Sequence, residues 1–209
     1  MKKLIILIFV VILAFILIAC GGNDDDNNEN GNSANNNSNN ISGNDKEDNI
    51  SDFEFYIEDD VIYVSKYTGS DTHVTIPKSY EGNPVTGLFG VFSGNNTITS
   101  VVIPDGITYI DGTFDGCSSL TEVLLPDNVT HIEEYSFRYC QSLSAIHFPS
   151  SVRRIGNQAF RGCSSLTDVT FAGDSVTIGR AAFYECRNLS GESKENIKRF
   201  NRNDALTLD

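Results

Sequence analysis

The chain has 209 residues, is 40% hydrophobic, contains no tryptophan and carries a formal charge of −13. That length suits one domain with accessory segments. The acidic balance argues against nucleic-acid binding, which needs clustered Lys and Arg, and has the wrong sign for attraction to an anionic lipid surface.

The first predicted element is a targeting segment. Met1-Lys2-Lys3 is positive, Leu4 to Ala19 is an unbroken apolar run, and Leu17-Ile18-Ala19-Cys20 closes it. A cationic start, an apolar centre and a small residue before the cut describe a secretory signal at residues 1–19. The cysteine at the first mature position resembles the lipobox of bacterial lipoproteins. That resemblance implies cleavage before Cys20, lipidation of its sulfur and a bacterial envelope location outside the cytoplasm. An uncleaved signal anchor is the alternative, although the apolar run falls short of the ~20 residues that span a bilayer. Two or three acyl chains, at about 0.8 kcal/mol per buried methylene, hold a protein stably where one does not.

Residues 20–51 comprise Cys20 and an Asn, Asp, Ser and Gly-rich stretch whose apolar residues are Ala34, Ile41 and Ile50. Such a segment cannot bury enough surface to offset its ordering entropy. It is expected to be a disordered linker with a mean span on the order of 30 Å.

Residues 52–97 read as an N-terminal cap and a first irregular repeat. The stretch "DFEFYIEDDVIYVSK" alternates like two strands about an Asp59-Asp60 turn. Val74-Thr75-Ile76-Pro77 reads as strand then proline, and Tyr80 to Val85 as an insertion.

From residue 98 the chain repeats every 23 residues, in units 98–120, 121–143, 144–166 and 167–189. Val101, Val123, Ile146 and Val169 correspond, with one residue of slack at Val101. So do Ile110, Ile132, Ile155 and Ile178; Phe114, Phe137, Phe160 and Phe183; Cys117, Cys140, Cys163 and Cys186; and Leu120, Leu143, Leu166 and Leu189. A period of 20 to 29 with L-x-x-V-x-L marks a leucine-rich solenoid. Leu120, Val123 and Leu125 predict a short strand with one buried face, and the following proline turns the chain. One coil cannot bury its own apolar side, so stacking neighbours share a continuous core. The fold class expected is a mainly β solenoid: an arc of about four to five coils with a short parallel sheet, an N-terminal β cap and a short C-terminal helix. Residues 190–209 form the far cap, with a short amphipathic helix over Glu192 to Asn201 carrying Ile197 and Phe200.

The cysteines fit an interior slot of each coil, as small apolar residues with a weak donor. A metal site needs ligands converging on one point, whereas this ladder spreads them along a line. Disulfides suit the compartment, but strand spacing sets the Cβ atoms just beyond the ~3.5–4.5 Å they prefer.

Cys140-Gln141-Ser142-Leu143-Ser144-Ala145-Ile146-His147-Phe148-Pro149, followed by Val152, Ile155-Gly156 and Ala159-Phe160, resembles the BspA-like, Treponema pallidum-type leucine-rich repeat family. "YTGSDTHVTIP" and "GNPVTGL" resemble its opening segment. The likeness spans about residues 55 to 190. It departs at Ala172, where the repeat has proline, at Val176, displaced by one, and at Asp111 and Glu133, where it has glycine. The resemblance implies a surface-exposed binding protein, adhesive in some members, and supplies no catalytic residues.

The residues themselves suggest no chemistry. His73, His131 and His147 are scattered, the acidic pairs are sequence neighbours, and Ser118-Ser119 and Ser164-Ser165 have no base at fixed spacing. No enzyme activity, cofactor or metal is expected. Candidate partner-binding residues are the outward strand positions: Ser100, Val102, Glu122, Leu124, Ala145, His147, Asp168 and Thr170. By alternation they line the concave sheet of the arc. The expected function is a lipid-anchored surface protein that binds a protein or extracellular polymer through its repeat face. A structural envelope lipoprotein without a dedicated ligand is the alternative.

Overall fold

The computed structural model describes residues 50–200, 205 and 206. The expected signal segment, the lipidation at Cys20 and the linker to residue 49 lie outside the described residues, as do residues 201–204 and 207–209 of the C-terminal cap. The last two linker residues, Ile50 and Ser51, begin a 3-10 turn, Ile50–Asp52.

The cap opens with an antiparallel hairpin of β1 (Phe53–Glu58) and β2 (Val61–Tyr67). Its two turn residues, Asp59 and Asp60, have φ of 50° and 62°. Two successive left-handed residues make the primed turn that matches strand twist. After β3 (His73–Thr75), the stretch read as an insertion folds as a second hairpin, β4 (Ser79–Tyr80) with β5 (Asn83–Phe89). Glu81 and Gly82 form its turn at φ of 51° and 78°.

Each following coil contributes two short strands. The first are β6 (Ser100–Val102), β8 (Glu122–Leu124), β10 (Ala145–Phe148) and β12 (Asp168–Phe171). The second are β7 (Tyr109–Asp111), β9 (His131–Ile132), β11 (Arg154–Ile155) and β13 (Thr177–Ile178). Helix α1 (Gly191–Lys198) closes the described fold. The expected mainly β solenoid with a short parallel sheet forms, and a second strand column runs beside that sheet. The first strands pair in parallel as β3-β6-β8 and β10-β12, while the second strands extend the hairpins into an eight-stranded sheet ordered β1-β2-β5-β7-β9-β11-β13, with β4 on β5. The reason is the second apolar position of each repeat. Ile110, Ile132, Ile155 and Ile178 are buried, and burying one residue in register from coil to coil places the flanking backbone in ladder geometry.

The one-residue slack has a local cause. Val101 pairs with Val123 and Ile110 with Ile132, each 22 residues on, yet Cys117 to Cys140 is 23. The difference lies between the second strand and the phenylalanine. Asp111-Gly112-Thr113 spans it in one coil, and Glu133-Glu134-Tyr135-Ser136 in the next.

A third side of each coil carries tight turns, joined by hydrogen bonds from each phenylalanine N–H to the following coil. Phe114 N–H donates to the Ser136 carbonyl at 2.8 Å, Phe137 to Ala159 at 2.7 Å and Phe160 to Ala182 at 2.7 Å. Beneath them the rings stack. Centroids are 5.5 Å apart for Phe92–Phe114, 4.9 Å for Phe114–Phe137, 4.9 Å for Phe137–Phe160 and 5.1 Å for Phe160–Phe183.

The cysteines run beside this stack. All four are free and buried. Each Sγ donates to the carbonyl of the preceding coil's phenylalanine: Cys117 to Phe92 and Cys140 to Phe114 at 3.1 Å, Cys163 to Phe137 and Cys186 to Phe160 at 3.0 Å. The same carbonyls of Phe114, Phe137 and Phe160 accept the cysteine N–H of their own coil. A carbonyl has two lone pairs, and the thiol occupies the second.

Candidate functional site

The predicted binding residues fall on the first strand of each coil, outward of a buried centre. Val101, Val123, Ile146 and Val169 point into the core, so alternation turns their neighbours toward solvent. Parallel register then assembles two rows. Ser100 stands opposite Glu122 and Val102 opposite Leu124. Ala145 stands opposite Asp168 and His147 opposite Thr170. β8 and β10 are adjacent without a continuous ladder between them, so the rows come in two blocks.

The rows differ in chemistry. Val102 and Leu124 are 57% and 68% exposed and face each other across the register. Glu122, His147 and Asp168 are exposed, whereas Ser100, Ala145 and Thr170 are half-buried. His147 Nδ1 lies 2.6 Å from Thr170 Oγ1. The face is therefore an apolar pair beside a hydrogen-bonding pair, fringed by carboxylates.

Nothing on it is arranged for bond making. His73 and His131 each lie beside a threonine hydroxyl, Thr72 at 2.9 Å and Thr130 at 2.8 Å. The repeated hydroxyls serve the fold: Ser119 donates to the Asn96 carbonyl, Ser142 to Ser118 and Ser164 to Gln141. Among the described residues no group of three or more His, Cys, Asp or Glu converges as a metal site. None of their helices is long and apolar enough to cross a membrane.

Beyond the expected β1–β2 hairpin, the coils carry a second strand column that the alternation of the sequence does not announce. Its outward row joins Tyr63, Gly87, Tyr109, His131 and Arg154 by register. The signal was present as a polar-Ile-polar alternation around Ile110, Ile132 and Ile155, each too short to register as a strand.

Solved structures resemble this arrangement. A leucine-rich repeat protein of T. pallidum superposes with a TM-score of 0.52 at 21% identity, over 75% of this chain and 97% of its own. A leucine-rich repeat protein of Bacteroides capillosus gives 0.52 at 28% identity, over 58% and 95%. A leucine-rich cell surface protein of Faecalibacterium prausnitzii gives 0.50 at 27% identity, over 67% of this chain, which spans 52% of that protein. No curated protein matches the sequence. Residues 89–203, over half of the chain, match six copies of the BspA-type leucine-rich repeat region. The paired strand columns, the phenylalanine stack and the cysteine ladder thus have one origin: the chain belongs to the BspA-type leucine-rich repeat family.

Proposed function

We propose that the protein is a cell-surface lipoprotein, anchored through lipid on Cys20, that binds a protein or extracellular polymer through the outward rows of its first sheet. The domain plan behind this reading is a signal at 1–19, a linker at 20–51, a cap at 52–97, repeats at 98–189 and a closing cap at 190–209. One observation carries it. Val102 and Leu124 form a solvent-facing apolar pair on a sheet whose buried side is filled by other residues. An exposed apolar pair with a polar rim is the usual make-up of a recognition surface.

The test uses immobilised purified matrix proteins and envelope polysaccharides with the full chain and a Leu124→Ser/His147→Ala/Asp168→Asn variant. The variant is expected to lose at least about tenfold in affinity toward whichever probe the parent binds, as for a small cluster of interface residues. Unchanged affinity moves the site off these rows. Absence of any bound probe favours the structural alternative. Metabolic labelling with a fatty acid is expected in the parent and absent in Cys20→Ser; retained label refutes the anchor.

A further inference from the structure

A second surface lies on the other strand column. Register sets its row: Tyr56 stands opposite Tyr63, Tyr63 opposite Gly87, Gly87 opposite Tyr109, and Tyr109 opposite His131. A Cβ on Gly87 would meet the Tyr63 ring at 2.3 Å. The missing side chain lets Tyr63 lie across the backbone toward Tyr109. Tyr56 and Tyr63 stack at 4.9 Å, Phe89 meets Tyr56 edge-on at 6.5 Å, and His131 lies 6.3 Å from Tyr109. Phe89 is 53% exposed and Tyr56 38%. Across five strands at about 4.8 Å spacing, the row is roughly 20 Å long.

Carboxylates border it. Glu58 accepts from the Tyr56 hydroxyl at 2.9 Å. Asp111 is the register partner of Phe89, and Glu133 and Glu134 follow in the next coil. Arg154 pairs with Glu133 at 2.9 Å. Among the described residues no cation pairs with Glu58, Asp111 or Glu134. Burial first, then Glu133 and Glu134, raises the Asp111 carboxyl above its usual range. Burial first, then Glu58, pushes the Tyr56 phenol up to about 12. The surface thus carries four carboxylates, Glu58, Asp111, Glu133 and Glu134, against the one cation Arg154, beside aromatic faces that are themselves negative.

We propose that this carboxylate-bordered aromatic row docks an extended, lysine- or arginine-bearing segment of a protein partner. The cations lie over the Tyr56, Tyr63 and Tyr109 rings, within reach of Glu58 and Asp111. Aromatic faces attract ammonium and guanidinium groups, and unpaired carboxylates add charge complementarity that a neutral sugar cannot use and a polyanion opposes. This surface is separate from the Val102 and Leu124 rows.

The test measures fluorescence anisotropy of labelled peptides with the full-length chain in neutral detergent. The probes are a glycine-spaced decalysine, its glutamine counterpart and labelled chitohexaose. Tyr56→Ser/Phe89→Ser removes rings at constant charge. Glu58→Gln/Asp111→Asn removes two charges at the site, and Asp174→Asn/Glu192→Gln removes two elsewhere. Thermal melts confirm that each variant folds. The lysine peptide is expected to bind, and each site variant to weaken it about fivefold or more, with the remote pair changing it less than twofold. The first-sheet variant is expected to bind it as the parent does. Equal loss in the remote pair, no loss in the ring variant, or equal binding of the glutamine peptide or the sugar overturns the proposal.

Discussion

At the residue scale, each cysteine does a job that its neighbours in the repeat cannot. Its sulfur is small enough for the slot beside the phenylalanine stack, and its proton satisfies a buried carbonyl. Burial pushes the Cys117 thiol up to about 12 and raises Cys140 and Cys163 well above the ordinary thiol range. A thiol with a raised folded pKa keeps its proton where the unfolded chain has lost it. Stability is therefore full below the ordinary thiol range and falls as pH rises through it, by up to about 1.4 kcal/mol per pH unit for each thiol. Guanidinium unfolding under reducing conditions is expected to show the midpoint falling between pH 7 and pH 10. Cys140→Ala should be less stable than the parent by about 1–2 kcal/mol at pH 7 but lose less on going to pH 10. Parallel declines would place the effect elsewhere. Gly156 shows a second residue-level constraint. A Cβ there would meet the Glu133 carbonyl carbon and the Glu134 nitrogen at 2.6 Å. Backbone cannot yield as a flexible side chain does, so Gly156→Ala is expected to cost about 1–3 kcal/mol in the same unfolding assay.

At the element scale, the ends of the ladders decide what closes the solenoid. Among the described residues no strand follows β12 on its outer side; helix α1 supplies its partners instead. Ser190 caps the helix by accepting from the Ser193 N–H at 3.1 Å. Buried Ser193 accepts from the Val169 N–H at 2.9 Å and donates to the Thr167 carbonyl at 3.0 Å, and Asn196 donates to the Val169 carbonyl at 3.2 Å. Two side chains thus complete the β12 backbone as another coil would. Ser193→Ala leaves a buried donor and acceptor bare, at a cost of about 1–3 kcal/mol. Its melting temperature is expected to drop and its tendency to associate, seen by light scattering, to rise, because an exposed strand edge templates pairing. The departure at Ala172 has a related explanation. Pro126 and Pro149 close turns by accepting from Val129 and Val152, but the Ala172 N–H donates to the Phe148 carbonyl at 2.9 Å. Ala172→Pro restores the repeat pattern yet removes that bond. It is expected to destabilise by about 1 kcal/mol or more, measured by thermal melt.

At the scale of the whole molecule, stability passes from coil to coil. Phe137 stacks at 4.9 Å on both Phe114 and Phe160, whereas Phe183 has one stacked phenylalanine neighbour, Phe160, at 5.1 Å. In a nearest-neighbour array, a central defect uncouples two halves while an end defect frays one. Phe137→Ala is expected to cost about 3–5 kcal/mol and to broaden the denaturant transition, with a lower m-value than Phe183→Ala shows. Equal m-values for the two would mean that the solenoid unfolds as one indivisible unit. The same linear build leaves two strand faces outward along the coils, one bearing Val102 and Leu124 and the other Tyr56, Tyr63 and Tyr109.

The period, the buried columns and the first strands were legible in the sequence, because each depends on one residue recurring at one spacing, and burial enforces that recurrence. The candidate rows from Ser100 to Thr170 followed by alternation alone. Of the second sheet, the β1–β2 hairpin was legible and the strands that the coils add to it were not. The coil strands β7, β9, β11 and β13 are two or three residues long, below the length at which alternation separates from chance, and only stacking makes them a ladder. Tyr63 and Tyr109 are 46 residues apart in the chain, and pairing across Gly87 brings them into one row. Local periodicity thus determined what is inside; the register between coils decided which outward residues meet.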